Sequence, residues 1–217
     1  IAQRMLERGL TTAGVILDED NEAYVESVRS AFTEFFTENG GEITQVQPFS
    51  SQSNVDFRPL LETIQKSGAE GLLIIAGAQD TGIICQHTRM IGWDAPIFTA
   101  RWGQGGMMIR DGGRAADGVE TVVDFNPNDP SAEYSIFLDQ FRTRFNREPT
   151  FAALRGYETI LVLAAAIKDT DREVEGLPHA ILNVGPINGP AGTFELDEFG
   201  DVLRPHYLLQ VENGTWV

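Results

Sequence analysis

Glu70 to Gly106 reads EGLLIIAGAQDTGIICQHTRMIGWDAPIFTARWGQGG, and the fold is decided there. Leu72 to Ala76 is a continuous apolar run of the kind that forms a strand buried on both faces, and it leaves through Gly77, Ala78, Gln79 and Asp80. Ile83, Ile84, His87 and Ile91 then recur at helical spacing, and Gly92 closes that helix as a C-cap. Pro96 opens a second strand, Ile97 to Ala100, which exits through Arg101, Trp102 and a glycine cluster. An open parallel sheet holds ligands at the carboxyl ends of its strands, so the two exits carrying Asp80 and Trp102 are where function is expected.

Outward from this stretch the same unit repeats. Ala2 to Arg8 reads as a helix feeding an apolar strand, Thr12 to Leu17, with an acidic exit from Asp18. A long helix follows, with Tyr24, Val28, Ala31, Phe32, Phe35 and Phe36 on its apolar side and Asn39-Gly40-Gly41 as its stop. Ile43 to Pro48 is a strand, Phe49 to Asn54 a Ser-rich loop, and Val55 to Ser67 a helix with Leu60, Leu61 and Ile64 inward. Strands spaced by helices imply right-handed crossovers and a parallel sheet, so the loops at Asp18–Tyr24, Phe49–Asn54, Gly77–Asp80 and Arg101–Gly105 share one rim.

Past residue 106 the pattern changes. Arg110 to Asp117 reads as a turn-rich link and Gly118 to Phe125 as a strand, after which Asn126-Pro127-Asn128-Asp129-Pro130 breaks regular structure as a hinge. Ser131 caps a helix to about Phe145, and an apolar helix covers Tyr157 to Lys168 with Tyr157 in its core. A third helix is expected between Asp171 and Val184, and a glycine-punctuated ribbon runs from Gly192 through Leu203–Val211 to Trp216. The order implies one lobe made of residues 1 to about 125 and again from about 203 to 217, interrupted by a helical block that has no sheet of its own to pack on.

Composition narrows the partners. A formal net charge of -16 repels phosphate backbones and anionic lipid, which argues against nucleic acid and membrane surfaces. With 42% hydrophobic residues, 217 residues can build a real core. Cys85 is the single cysteine and excludes an internal disulfide or a thiolate metal cage. No signal peptide is visible in Ile1–Gly9, and the chain reads as a mature, trimmed or fragment N-terminus. The longest apolar candidate, Ile160–Ile167, is too short to span a bilayer.

Catalytic and metal patterns fail. His87, His179 and His206 lack metal spacing, so no metal or cofactor is expected. Asp18, Asp20 and Glu22 imitate the start of a calcium loop, but Ala23 and Arg29 occupy its sixth and twelfth positions. Gly103-Gln-Gly-Gly-Met-Met lacks the last glycine of a dinucleotide fingerprint, and there is neither a P-loop nor a nucleophile elbow. The chain is not expected to be an enzyme.

Several segments in order carry a resemblance: Tyr24 after the first strand, FTEFFTENGG at Phe32–Gly41, Asp56-Phe57 before Leu60-Leu61 and Ile64, QHTRMIG at Gln86–Gly92, Gly118-Val119, Phe137 to Pro149, Tyr157, and the Gly192–Gly200 turn. Together they resemble the substrate-binding proteins of branched-chain amino-acid type ABC transporters, which have the type I periplasmic binding fold. The likeness implies an α/β fold: a parallel-sheet C-terminal lobe, residues 1–125 with return at 205–217, and at 126–204 helices of a largely missing N-terminal lobe.

It also implies a periplasmic or extracellular receptor that binds a small organic ligand, an amino acid or related carboxylate or amide, between two lobes and delivers it to an ABC permease. A ligand-sensing domain of a signalling receptor is the alternative, with an enzyme third. By position, the resemblance makes Tyr24, Gly77, Ala78, Gln79, Asp80, Arg101 and Trp102 the candidate ligand contacts. Trp102 stands where an acidic partner for an ammonium group is common, and Gly77-Ala78-Gln79 where a Tyr is common; both departures point away from branched-chain amino acids. Arg101 can pair with a carboxylate and Trp102 can stack. A bland reading stands beside each: Tyr24 as the first core residue of its helix, Trp102 as an edge plug, Arg101 as a solvated charge, and Asp80 as a helix cap.

Overall fold

A computed structural model describes residues 1–170 and 175–217. By contacts the chain divides into two units, Ile1–Val123 with Leu208–Val217, and Asp124–Tyr207.

In the first unit, α1 (Ala2–Glu7) leads into β1 (Thr12–Asp18), α2 (Glu22–Glu38), β2 (Glu42–Phe49), α3 (Arg58–Lys66), β3 (Gly71–Ile75), α4 (Ala78–Met90), β4 (Ile97–Thr99), α5 (Gly106–Gly112) and β5 (Glu120–Val123). Neighbours β1/β2, β1/β3, β3/β4 and β4/β5 all pair parallel. Every residue of β3 is buried, because helices cover both faces of a parallel sheet. Burying each of Leu72 to Ile75 contributes about 1.5–3 kcal/mol of transfer free energy. On one face Phe36, Val15, Leu73, Ile75 and Phe98 share a core with Met5 and Phe32. On the other, α3 rests directly on β1, where a Cβ added to Gly14 would stand 2.0 Å from Cγ2 of Ile64. Gly92 follows α4 at φ +74, the left-handed turn that glycine adopts without steric cost.

The amino edge of the sheet is tied to α1 by charge. Glu120 opens β5 at 1% exposure, accepting from Nε of Arg4 at 2.6 Å and from Nη1 of Arg8 at 2.5 Å. The polar helix at the N-terminus therefore docks through two arginines as well as through Met5, which is fully buried.

The second unit holds α6 (Ala132–Phe145), α7 (Phe151–Asp169), α8 (Leu177–Leu182) and a three-stranded sheet of β6 (Ile187–Gly189), β7 (Gly192–Leu196) and β8 (Val202–Leu203), paired antiparallel. Ser131 caps α6, its Oγ accepting from the Tyr134 N–H at 3.2 Å, and Phe125, Tyr134, Phe137 and Leu154 form the core. β9 (Tyr207–Glu212) and β10 (Thr215–Trp216) follow, giving the large sheet the order β10-β9-β5-β4-β3-β1-β2.

Several expectations change. The link at 110–117 contains the end of α5 and a 3-10 turn, formed because Gly82 of α4 lets the α5 backbone approach; a Cβ there would stand 2.7 Å from the Met108 carbonyl oxygen. The helix placed at Val55 begins at Arg58, and the apolar helix begins at Phe151. The buried line of α4 is Thr81, Ile84, Cys85 and Thr88, while Ile83 and His87 are half-buried. Tyr157 is 45% exposed and Phe35 43%, so neither is core. Within the third expected helix, α8 is observed, and residues 171–174 lie outside the described residues.

Candidate functional site

The chain leaves β1 for β2 on one side and returns to β3, β4 and β5 on the other. That reversal opens a crevice outside the carboxyl ends of β1 and β3, the usual ligand position in an open α/β sheet. Three exits meet there.

Beyond β4, Arg101–Gly103 makes a single 3-10 turn, closed by the Gly103 N–H donating to the Ala100 carbonyl at 2.9 Å. This turn carries the half-buried Trp102. The Trp102 backbone N–H donates to the phenol oxygen of Tyr24 at 3.3 Å, and the two rings meet edge to face, centroids 5.8 Å apart at 79°. Tyr24 stands in the first turn of α2 and packs partly on the core beneath. Tyr24 is thus a core-edge residue, and its phenol also braces the indole. Burial pushes its phenol above the ordinary value, against the Trp102 N–H and the positive charge of Arg101, which act in the other direction.

The β3 exit supplies the floor. A Cβ on Gly77 would lie 3.6 Å from Cε2 and Cζ2 of Trp102, so the indole lies across this glycine's backbone. Ala78 sits beneath Gly105 at ordinary contact distance, and Gln79 is exposed. Tyr24, Gly77, Arg101 and Trp102 are thus brought together, with Ala78 adjoining them.

Asp80 departs from its expected cap role. Gly77 is the N-cap of α4 and makes no side-chain cap bond, and Asp80 lies two residues inside the helix. Its carboxyl is half-buried and has no hydrogen-bond or ion-pair partner among the described residues. Its pKa is raised above the ordinary carboxylate value, first by burial and then by the charge of Asp18.

Asp18, which the sequence pattern did not single out as a contact, is 1% exposed at the end of β1. Its Oδ1 accepts from the N–H groups of Asp20 and Ser51, both at 3.2 Å. Asp20 in turn accepts from the hydroxyls of Ser50 and Ser51 at 2.9 and 3.1 Å and from the Gln52 N–H at 3.0 Å. The acidic exit that imitates a calcium loop is consumed in locking the β1 and β2 exits together. Among the described residues, no group of three or more His, Cys, Asp or Glu is placed to hold a metal ion.

The periplasmic binding protein family model matches residues 1–215. A search of curated proteins finds no match. Among solved structures, a leucine-binding protein LivK from Thermotoga maritima is 23% identical with a TM-score of 0.88, over 98% of this chain and 61% of that one. A solute-binding protein from R. palustris in complex with benzoate is 20% identical with a TM-score of 0.85, over 100% and 59%. The Streptococcus pneumoniae LivJ in complex with isoleucine is 19% identical with a TM-score of 0.85, over 99% and 61%. The chain spans 59–61% of the length of these structures, and at such identities the likeness is one of fold.

Proposed function

The chain belongs to the periplasmic binding protein family, and from that premise we propose that it is an extracytoplasmic receptor for a small organic carboxylate or amide, delivered to an ABC permease. The observation that carries this reading is the convergence of Tyr24, Trp102, Gly77 and Arg101 at the crevice beyond β1, β3 and β4. An indole edge-locked by a phenol is a rigid apolar wall, and a guanidinium beside it supplies directed charge for a carboxylate. Asp80, half-buried and without a described partner, supplies an acceptor for an ammonium, amide or hydroxyl group of the same ligand. The rim is one wall of the binding cleft.

The second unit supports a further assignment. Ile136, Tyr157, Ile160 and Ile167 are 55%, 45%, 63% and 41% exposed on α6 and α7. Contrary to the expectation of a block with no sheet, this unit carries the three short strands β6–β8, and the open apolar faces of α6 and α7 support assigning the block at 126–204 to another lobe. No helix among the described residues is long and apolar enough to cross a membrane.

Native mass spectrometry of the full-length protein, followed by calorimetric titration with benzoate and leucine, tests the proposal. A bound small carboxylate or amide is expected, with Trp102→Ala weakening its binding about tenfold or more. Unchanged affinity in that variant refutes the site, and failure to bind any small carboxylate or amide refutes the ligand class.

A further inference from the structure

Beside Trp102, the buried last residue of the 3-10 turn packs on two threonines. Gly103 ends the 3-10 turn and is buried, and a Cβ built on it would fall 2.0 Å from Oγ1 of Thr99 and 2.6 Å from Oγ1 of Thr81. Both threonines are fully buried, Thr81 in α4 and Thr99 at the end of β4. Their hydroxyls are not free to swing away. Thr81 donates to the Gly77 carbonyl at 2.8 Å, and Thr99 donates to the Ala100 carbonyl at 3.1 Å. Thr121 extends the line from β5, donating to the Thr99 carbonyl at 2.8 Å.

These bonds join the same backbone groups that carry the rim. Gly77 lies under the indole, and Ala100 receives the hydrogen bond that closes the turn around Trp102. The indole is thus set from two sides, by Tyr24 in front and by the seating of Gly103 on the threonine pair behind.

We infer that Gly103, seated on the hydroxyls of Thr81 and Thr99, is the positioning residue that fixes the depth of Trp102 over Gly77 and so sets the size of ligand the rim admits. This rests on the reading of Trp102 as a ligand wall. A methyl at residue 103 has no room unless the turn lifts, because the obstructing atoms belong to buried, hydrogen-bonded side chains. Lifting the turn carries the indole off Gly77 and narrows the crevice.

The test uses the chain labelled with 5-fluorotryptophan, whose fluorine spectrum resolves Trp93, Trp102 and Trp216, with the Trp102 line assigned by its loss in Trp102→Phe. Gly103→Ala is expected to move the Trp102 line and leave the other two in place. Adding Thr81→Ala and Thr99→Ala to it is expected to return that line toward its original position. In parallel, calorimetry of the full-length protein with benzoate is expected to show about tenfold weaker binding in Gly103→Ala, recovered in the triple variant. An unmoved Trp102 line, or equal movement of all three, overturns the inference. If Gly103→Ala fails to fold, Thr99→Ala alone must move the Trp102 line by opening space under the turn; an unmoved line refutes the inference equally. Should benzoate fail to bind the unsubstituted protein while the fluorine shifts appear as stated, the ligand reading falls and the positioning of Trp102 by Gly103 stands.

Discussion

Removing Glu158 is expected to destabilise the second unit by about 3–5 kcal/mol, the usual cost of breaking a buried ion pair by deleting one partner. Glu158 lies inside α7 at 3% exposure, where its carboxylate accepts from Arg155 and from Arg204, the latter through Nη2 at 3.1 Å and Nη1 at 3.3 Å. The two arginines do not lose equally. Arg155 keeps Asp124 at 2.8 Å, whereas Arg204, with a side chain only 5% exposed and stacked 4.5 Å over the ring of Phe194, loses its described ion partner. The cost therefore falls on one stranded guanidinium, and removing that group as well should recover most of it. Glu158→Leu, Arg204→Leu and the double variant form a cycle measured by urea denaturation. Circular dichroism follows the helices, and fluorescence follows Trp93, Trp102 and Trp216, which all belong to the first unit. The double variant is expected to lie within about 1–2 kcal/mol of the original chain, because apolar replacement of a buried pair is often neutral. A Glu158→Leu cost below about 1 kcal/mol, or a double variant that merely sums the singles, refutes the reasoning.

Asp80→Asn is expected to raise the melting temperature, since the amide keeps the shape, removes repulsion from Asp18 and forfeits no described hydrogen bond; a fall in melting temperature counts against it. Asp56 is held down to about 2, chiefly by the Arg58 side chain, so its stabilising contribution is full above the ordinary carboxylate value and is lost as pH falls toward about 2. An NMR titration of Arg58→Gln should return the Asp56 midpoint toward 3.8, and an unmoved midpoint would deny Arg58 that role. Burial pushes the Cys85 thiol up to about 12. A disulfide reagent at neutral pH should therefore leave the native thiol unmodified and titrate it fully in denaturant, whereas rapid native labelling contradicts the packing.

The sheet is legible chiefly from β1 and β3, where Ala13–Leu17 and Leu72–Ala76 are unbroken apolar runs. Leu72–Ala76 has no amphipathic alternative, and glycines at positions 40, 68 and 92 mark where helices stop. The helix α5 was hidden because Gly106, Gly112 and Gly113 suppress local helix preference, and only its close packing against Gly82 pays for it. A capping carboxylate and one placed two residues inside the helix look alike in sequence, so the cap reading of Asp80 is settled only by the position of Gly77. Tyr24 and Trp102 were each visible as rim aromatics, yet their hydrogen bond joins residues 78 positions apart and follows only from the strand order. Tyr157 and its apolar neighbours were read as buried; the pattern reports that a surface is apolar, not that anything in this chain covers it.

Burial, with the charge of Asp18, raises the pKa of the Asp80 carboxyl, so binding of a charged group beside it is expected to be linked to a proton. A carboxyl whose pKa is raised by burial and by a neighbouring charge takes up or releases a proton when a charged group arrives beside it within its titration range. A ligand offering an ammonium favours ionised Asp80, so its affinity is full above that raised midpoint and declines as pH falls through it. A ligand offering a carboxylate at the same spot favours the protonated form and binds more tightly as pH falls. The sign of the affinity's pH slope across that midpoint, checked by the buffer dependence of the binding heat, therefore reads out the charge of whichever group is placed against α4.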